Sequence, residues 1–302
     1  MLPNMVLIFL LMVSGWMVQR GGFCLVAAVS RAMEKRPERL LLILSIAFIS
    51  VLVVLLFQSP LNYSPTGKVL WSSLSGAIFF GIGAALNRGC FFGTLSNMAR
   101  GDGHMLFTLA GMMATTAFIP AGFFVTLPLE QGHPSLLLGL FLFTASLICW
   151  SRCRRNDRLR SVIRLLIPGL TFGFIYTTHI GWSLSGLLTE SWHFIRHNQT
   201  INGIRIAGFS AFLTGMILYH FYYQDFTFIR WSITKGIKHF AAGIIMMIGA
   251  RMMGGGNDNL LFHKLPSLTL EVFLLLFIML SSIAMTLFIF RKYAAKTLMN
   301  EL

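Results

Sequence analysis

Two cysteines stand out among the residues that could do chemistry. Cys90 lies in Asn87-Arg88-Gly89-Cys90-Phe91-Phe92-Gly93-Thr94, which runs on through Ser96, Asn97 and Arg100 to Gly101-Asp102-Gly103. Arg88 puts a positive charge two residues before the thiol, and Gly89 and Gly93 leave the backbone accessible. A shorter version, Arg20-Gly21-Gly22-Phe23-Cys24, occurs near the N-terminus. A half-length helix starting near Phe92 would aim its free N–H groups and positive dipole end at a cavity, which favours an anion. A thiol there can donate a weak hydrogen bond to a soft, sulfur-bearing anion. It can also attack such a species if positive surroundings favour the thiolate. The bland alternative is that both cysteines are small apolar packers.

The other chemically able residues give less. Arg20, Arg88 and Arg251 each stand near the end of an apolar run, where an arginine either snorkels to the interface or faces a cavity. Arg251 reads as structural, with Asp258 as a charge partner. Asn257-Asp258-Asn259 follows three glycines and reads either as a turn or as a pore lining. His179, His193 and His197 lack ligand spacing, and Cys149 and Cys153, beside Arg152, Arg154 and Arg155, have no further ligands for zinc. They read as free thiols at a helix end. No phosphate-binding loop, Ser/His/Asp set or haem-attachment motif is present. The expectation is no catalytic set, no metal, no cofactor and no coupling to ATP within this chain.

The elements that position the two cysteines are apolar. The chain has 302 residues, 56% of them hydrophobic and only 11% charged. Mean hydropathy is +0.74. Runs near the ~20 residues that cross a bilayer recur throughout. They predict an all-α, polytopic membrane protein with nine spans: Pro3–Val18, Leu40–Phe57, Val69–Leu86, Met105–Thr126, Ser135–Trp150, Leu165–Ile180, Ile204–Tyr223, Ile237–Met253 and Leu268–Phe290. The second is so uniformly apolar that it reads as lipid-facing over much of its surface. The first has no basic segment before it and reads as a retained span rather than a cleaved signal.

The net charge of +14 sits in short loops beside these spans. That is the pattern of the positive-inside rule and of contact with anionic lipid headgroups, not of nucleic-acid binding. With the N-terminus outside, the inner loops hold Arg31 to Arg39, Arg88 with Arg100, Arg152 to Arg164, Arg230 with Lys235, and the tail. The expected topology is therefore N-terminus outside, C-terminus cytoplasmic.

The chain also repeats itself. Gly15-Trp16-Met17-Val18-Gln19-Arg20-Gly21 aligns without gaps on Gly83-Ala84-Ala85-Leu86-Asn87-Arg88-Gly89. Gly249 to Asp258 shares the glycine spacing, and Gly173 to Trp182 is a thinner fourth copy. The expectation is two repeat halves, 1–150 and 165–302, joined by a basic cytoplasmic linker, 151–164. Interrupted segments in corresponding positions of two halves point to a transporter site.

With these motifs in order, the chain resembles the YeeE/YedE family of membrane proteins. Asn87 through Asp102 is similar to that family's Gly-Cys-x-x-Gly motif. Arg20-Gly21-Gly22-Phe23-Cys24 is similar to its N-terminal cysteine motif, and Gly249 through Asp258 with Pro266 to its C-terminal repeat. The resemblance implies a bacterial inner-membrane importer of a small inorganic sulfur-containing anion of the thiosulfate kind, relayed by thiols in short half-helices. Some members are associated with selenium. The substrate path it implies runs past Cys24, Cys90, Arg20, Arg88, Gly22, Gly89, Gly93 and Asn257. The family's third relay cysteine falls in the region 254–259, where this chain has glycines and Asn257. Either an amide and backbone donors replace that station or the substrate differs. Two other classes remain open: a membrane partner of a cytoplasmic sulfurtransferase, with a transient cysteine persulfide, and a structural subunit with no transported substrate.

Overall fold

A computed structural model describes residues 2–57, 70–119, 144, 166–175, 183, 185–188, 190 and 203–300. Among these residues there is no strand, only an isolated bridge between Asp102 and Ile229. Six helical segments are long and apolar enough to cross a membrane: Met5–Met33, Glu38–Phe57, Trp71–Arg100, Gly203–Tyr222, Ile233–Ser267 and Leu270–Tyr293. The protein is an all-α polytopic membrane protein. Lipid offers no partner to a backbone N–H or C=O, so only helices and closed barrels span it.

Three of the six segments are interrupted. The first is α1 (Leu2–Gly21) followed by the short α2 (Leu25–Met33). After α3 (Glu38–Phe57), the second interrupted segment is α4 (Leu70–Leu86) with α5 (Phe91–Arg100). Then come α6 (His104–Phe118), α7 (Leu166–Ile175), α8 (Gly203–Tyr222) and α9 (Ile233–Met253). The third break follows α9, where a run of α, π and 3-10 turns extends from Asn257 to Ser267. The chain closes on α10 (Leu270–Asn300).

Six expected spans thus correspond to these helices within a few residues, except that α10 runs about three turns past Phe290. The fourth is seen as α6, and α7 lies within the sixth. The fifth span, the linker 151–164, Cys149, Cys153 and the loop histidines lie outside the described residues. One expectation fails: α3 is not chiefly lipid-facing, since 61% of its apolar window is buried within the protein.

Glycines set how closely the helices approach. Lipid tails are as apolar as leucine, so helices associate through packing and small residues at the crossing. A methyl group added at Gly76 would fall 2.6 Å from Met252 Cβ, and one at Gly83 would fall 2.6 Å from the Met246 backbone nitrogen. These two glycines of α4 and Gly249 of α9 form one seam. Gly15 of α1 and Gly215 of α8 meet backbone carbonyls of Phe212 and Met12, and Gly111 of α6 pairs with Gly243 of α9 in the same way. Helices of the two expected halves therefore interleave: α1 packs on α8, and α4 packs on α9 and α10. Replacing Gly249 with leucine must push α4 and α9 apart, because the Phe80 backbone occupies the space. Overpacking of this kind costs roughly 1–3 kcal/mol, so a lower melting temperature in detergent is expected. An unchanged melt would show that the seam is loose.

At the centre five phenylalanines from five elements close on one another. Phe23 meets Phe92 edge-on at 4.9 Å between ring centroids, and Phe172 stacks on Phe262 at 4.4 Å. Phe212 reaches both Phe92 and Phe172. All five are buried.

Candidate functional site

The three breaks are built alike. In each, the helix ends on a residue in the left-handed region: Gly22 (φ 63°), Arg88 (φ 57°) and Gly254 (φ 70°). In each, two backbone bonds close the end. Gly22 and Phe23 donate to Gln19 and Val18, Arg88 and Gly89 to Ala85 and Ala84, and Gly254 and Gly255 to Arg251 and Ala250. This is the Schellman closure, which satisfies the orphan carbonyls of a helix end. Two residues after the left-handed position the next helix begins, on Cys24, Cys90 and Gly256, all in extended conformation. Their carbonyls accept from Ala28, Thr94 and Leu260 at 2.8, 2.7 and 2.9 Å.

Ser183 with residues 185–188 supplies a fourth start of the same form. The Ser183 carbonyl accepts from Leu187 N–H, and its hydroxyl oxygen accepts from Gly186 N–H at 2.8 Å, the usual serine cap. The four equivalent positions are therefore Cys24, Cys90, Ser183 and Gly256. This corrects the gapless alignment of Gly15–Gly21 on Gly83–Gly89, which sets Arg20 against Arg88. In the structure Gly22 takes the place of Arg88, two residues further on.

The four starts converge and cap one another. Cys24 Sγ sits where a side chain on Gly93 would begin, and Cys90 Sγ lies 4.0 Å from the same point. Leu25 N–H, the first of α2, donates to Cys90 Sγ at 3.4 Å. Phe91 N–H, the first of α5, donates to Asn257 Oδ1 at 3.3 Å. Ser185 N–H donates to Asp258 Oδ2 at 2.8 Å, and Gly256 N–H donates to Ser185 Oγ at 3.3 Å. Cys90, Asn257 and Asp258 are at most 1% exposed, whereas Cys24 is half-buried. Asn257 Nδ2 and Asp258 Oδ1 are buried without a hydrogen-bond partner. Asn257-Asp258-Asn259 is thus the first turn of a helical run, with Asn257 and Asp258 buried.

The expected cations fall elsewhere. Arg88 is exposed, and Arg20 is half-buried in the last turn of α1. The guanidinium close to the Cys24 break is that of Arg39, at the start of α3. Its Nη1 lies 3.0 Å from where a side chain at Gly22 would begin. Nothing in the local sequence around Arg39 marks it, because its partner is 17 residues away in another helix. A side chain at Gly89 would meet the backbone of Gly93 and Thr94 at 3.1 and 3.2 Å, so the break folds back over the first turn of α5. Arg251 does not pair with Asp258: its Nη1 donates to the Ile119 carbonyl at 2.7 Å, and its Nε is buried without a partner. Arg251, Ser183, Ser185 and Gly254 to Gly256 line a cavity of about 330 Å³.

Asn87 holds the second break. Its Nδ2 donates to the Gly89 carbonyl and to Thr94 Oγ1, and its Oδ1 accepts from Thr108 Oγ1 and from His239 Nδ1. Four elements meet at one buried amide. Interhelical hydrogen bonds in membranes average ~0.6 kcal/mol each, so Asn87→Ala should cost roughly 2 kcal/mol by thermal melt. A loss below roughly 0.5 kcal/mol, the level of a neutral surface change, would mean that the cluster does not hold the break. Beside it, His104 Nδ1 donates to Asp102 Oδ1 at 2.8 Å while its Nε2 accepts from Ser232 N–H. These contacts fix the His104 tautomer.

Residues 20–133 match the model of a family described as sulphur transport, which bears out the resemblance to the YeeE/YedE family over that stretch. It contains Cys24, Cys90 and both of their half-helices. No curated protein matches the chain.

Proposed function

We propose, from the match of residues 20–133 to the model of a sulphur-transport family, that the protein imports a small inorganic sulfur-containing anion of the thiosulfate class through the meeting point of Cys24, Cys90 and the third and fourth half-helix starts. One observation carries this reading: the two thiols stand side by side at the N-termini of two half-helices, with Gly93 between them. Each helix end contributes roughly 0.3–2 kcal/mol toward an anion. The thiols add soft, weak donors in place of a fixed cation, so an anion is held without being trapped. Gly22, Gly89 and Gly93 keep side chains out of its way. Asn257 Nδ2, a free buried donor, stands in this reading where the family's third thiol would be.

The five-phenylalanine cluster closes the path to free leakage and must part for the anion to pass. Arg20 and Arg88 act at the ends of the path, drawing anions or anchoring helices, and Arg39 supplies the positive charge beside Cys24. The charge of the basic loops supports a reading with the N-terminus outside and the C-terminus in the cytoplasm of a bacterial inner membrane. Moving each elementary charge against 100 mV costs ~2.3 kcal/mol. A dianion entering a negative interior therefore needs a coupled cation or rapid consumption inside.

The test is uptake of radiolabelled thiosulfate by proteoliposomes, with sulfite, sulfide and selenium oxyanions as competitors. Saturable uptake above empty liposomes is expected. No uptake of any of these species would end the transport reading.

A further inference from the structure

Asp258 has no place in the anion path as described, yet it is 1% exposed and sits at the ring of helix starts. Its Oδ2 accepts from Ser185 N–H at 2.8 Å. Its Oδ1 has no partner and lies 2.9 Å from where a side chain on Gly256 would begin, with Ser185 Oγ at 3.0 Å from the same point. Among the described residues no ion pair involves Asp258. The charged or titratable groups on the elements around it are engaged elsewhere or stand apart. Arg251 of α9 bonds to Ile119, Glu190 pairs with Arg205, and Lys264 donates to the Met253 carbonyl. Arg39 of α3 packs on Gly22. Glu271 opens the helix that packs on the Leu260–Lys264 turn, and His263 lies five residues along the same run.

A carboxylate buried without a cation is costly, and it repels an anion arriving at the same ring. A carboxyl that has taken up one proton is neutral, and its O–H can point from the otherwise unpartnered oxygen. Ser185 and Gly256, which touch Asp258, also line the cavity with Ser183, so hydroxyl groups lead from the cavity to the carboxyl.

We propose that Asp258 is the proton-coupling group of this carrier, resting on the transport reading above. One proton binds Asp258 from the side that the anion leaves, the anion then occupies the ring, and both are released on the other side. Ser185 N–H holds the carboxyl in place throughout. No covalent bond is made or broken apart from the O–H bond that forms and dissociates.

The experiment is proteoliposome uptake of labelled thiosulfate with a pH-sensitive dye inside and the membrane potential clamped by potassium and valinomycin. For the wild type, adding thiosulfate outside acidifies the lumen by one proton per anion, and an acidic exterior accelerates uptake. Asp258→Asn keeps an acceptor for Ser185 N–H and cannot titrate. It is expected to lose both the acidification and the acceleration. Labelled uptake by the wild type with a silent dye and no response to the gradient would overturn proton coupling and leave transport standing. Absence of uptake altogether would overturn both. Acidification undiminished in Asp258→Asn would remove the role from this residue. If that variant does not insert, the wild-type dye response still decides whether a proton moves.

Discussion

Cys90→Ala is expected to abolish growth on thiosulfate as the only sulfur source, in a strain lacking other importers, while leaving the protein inserted and folded. The separation of the two effects follows from the geometry. The thiol is wholly buried and accepts a long hydrogen bond from Leu25 N–H at 3.4 Å. Removing that acceptor costs roughly 1 kcal/mol of stability, too little to unfold an assembly packed this extensively. On the proposed path the anion, in contrast, loses one of its two thiol donors. Cys90→Ser separates two uses of the sulfur. A hydroxyl still donates a hydrogen bond, so a relay keeps partial growth, whereas a persulfide intermediate is lost with the sulfur atom. Wild-type growth of the alanine variant would retire the thiol role, and mass spectrometry showing a persulfide on Cys90 after incubation with a sulfur donor would favour the sulfurtransferase alternative.

Gly93→Ala is expected to be as severe for uptake and worse for stability. The new methyl group would clash with Cys24 Sγ, and its distance to Cys24 Cβ would be 3.3 Å. Either the thiol rotates out of the site or α5 shifts away from α2. Overpacking puts the stability loss at roughly 1–3 kcal/mol. A double-mutant cycle tests the cause. Cys24→Ala in the Gly93→Ala background removes the sulfur that collides and should restore the melting temperature, without restoring uptake, since one thiol is then missing. If the double variant melts lower than either single change, the clash between residues 24 and 93 is not the reason.

Much of the architecture was legible before any coordinates. The lengths of the apolar runs placed α1, α3, α4, α8 and α9 to within a few residues, because a bilayer fixes both the length of a span and its need for internal hydrogen bonds. Gly-Cys-x-x-Gly flagged Cys90, and Arg-Gly-Gly-Phe-Cys flagged Cys24. Three readings needed the fold. α3 reads as lipid-facing because its leucines and isoleucines are equally at home in lipid and in a protein core. The repeat was two residues out of register because a left-handed helix end accepts Arg88 where its counterpart has Gly22, so matching letters did not match conformations. The Asp258 partner was misassigned because proximity in sequence to Arg251 says nothing about which side of a helix end each side chain takes.

By itself, the sequence determined an all-helical membrane protein with interrupted helices and two thiols beside glycines. Periodicity and hydropathy are local, and a break with its cap is written within a dozen residues. Only the tertiary structure decided that Cys24 and Cys90 share the space over Gly93, that Ser183 and Gly256 hold the equivalent positions, and that the Arg39 guanidinium lies against Gly22 at the first break. The reason is that a half-helix start leaves its first N–H groups unpaired, and here those groups find partners 65 to 166 residues away. No local pattern encodes a partner at that distance. The packing of α1 on α8 and α4 on α9, through glycines that admit backbone against backbone, sets which starts meet.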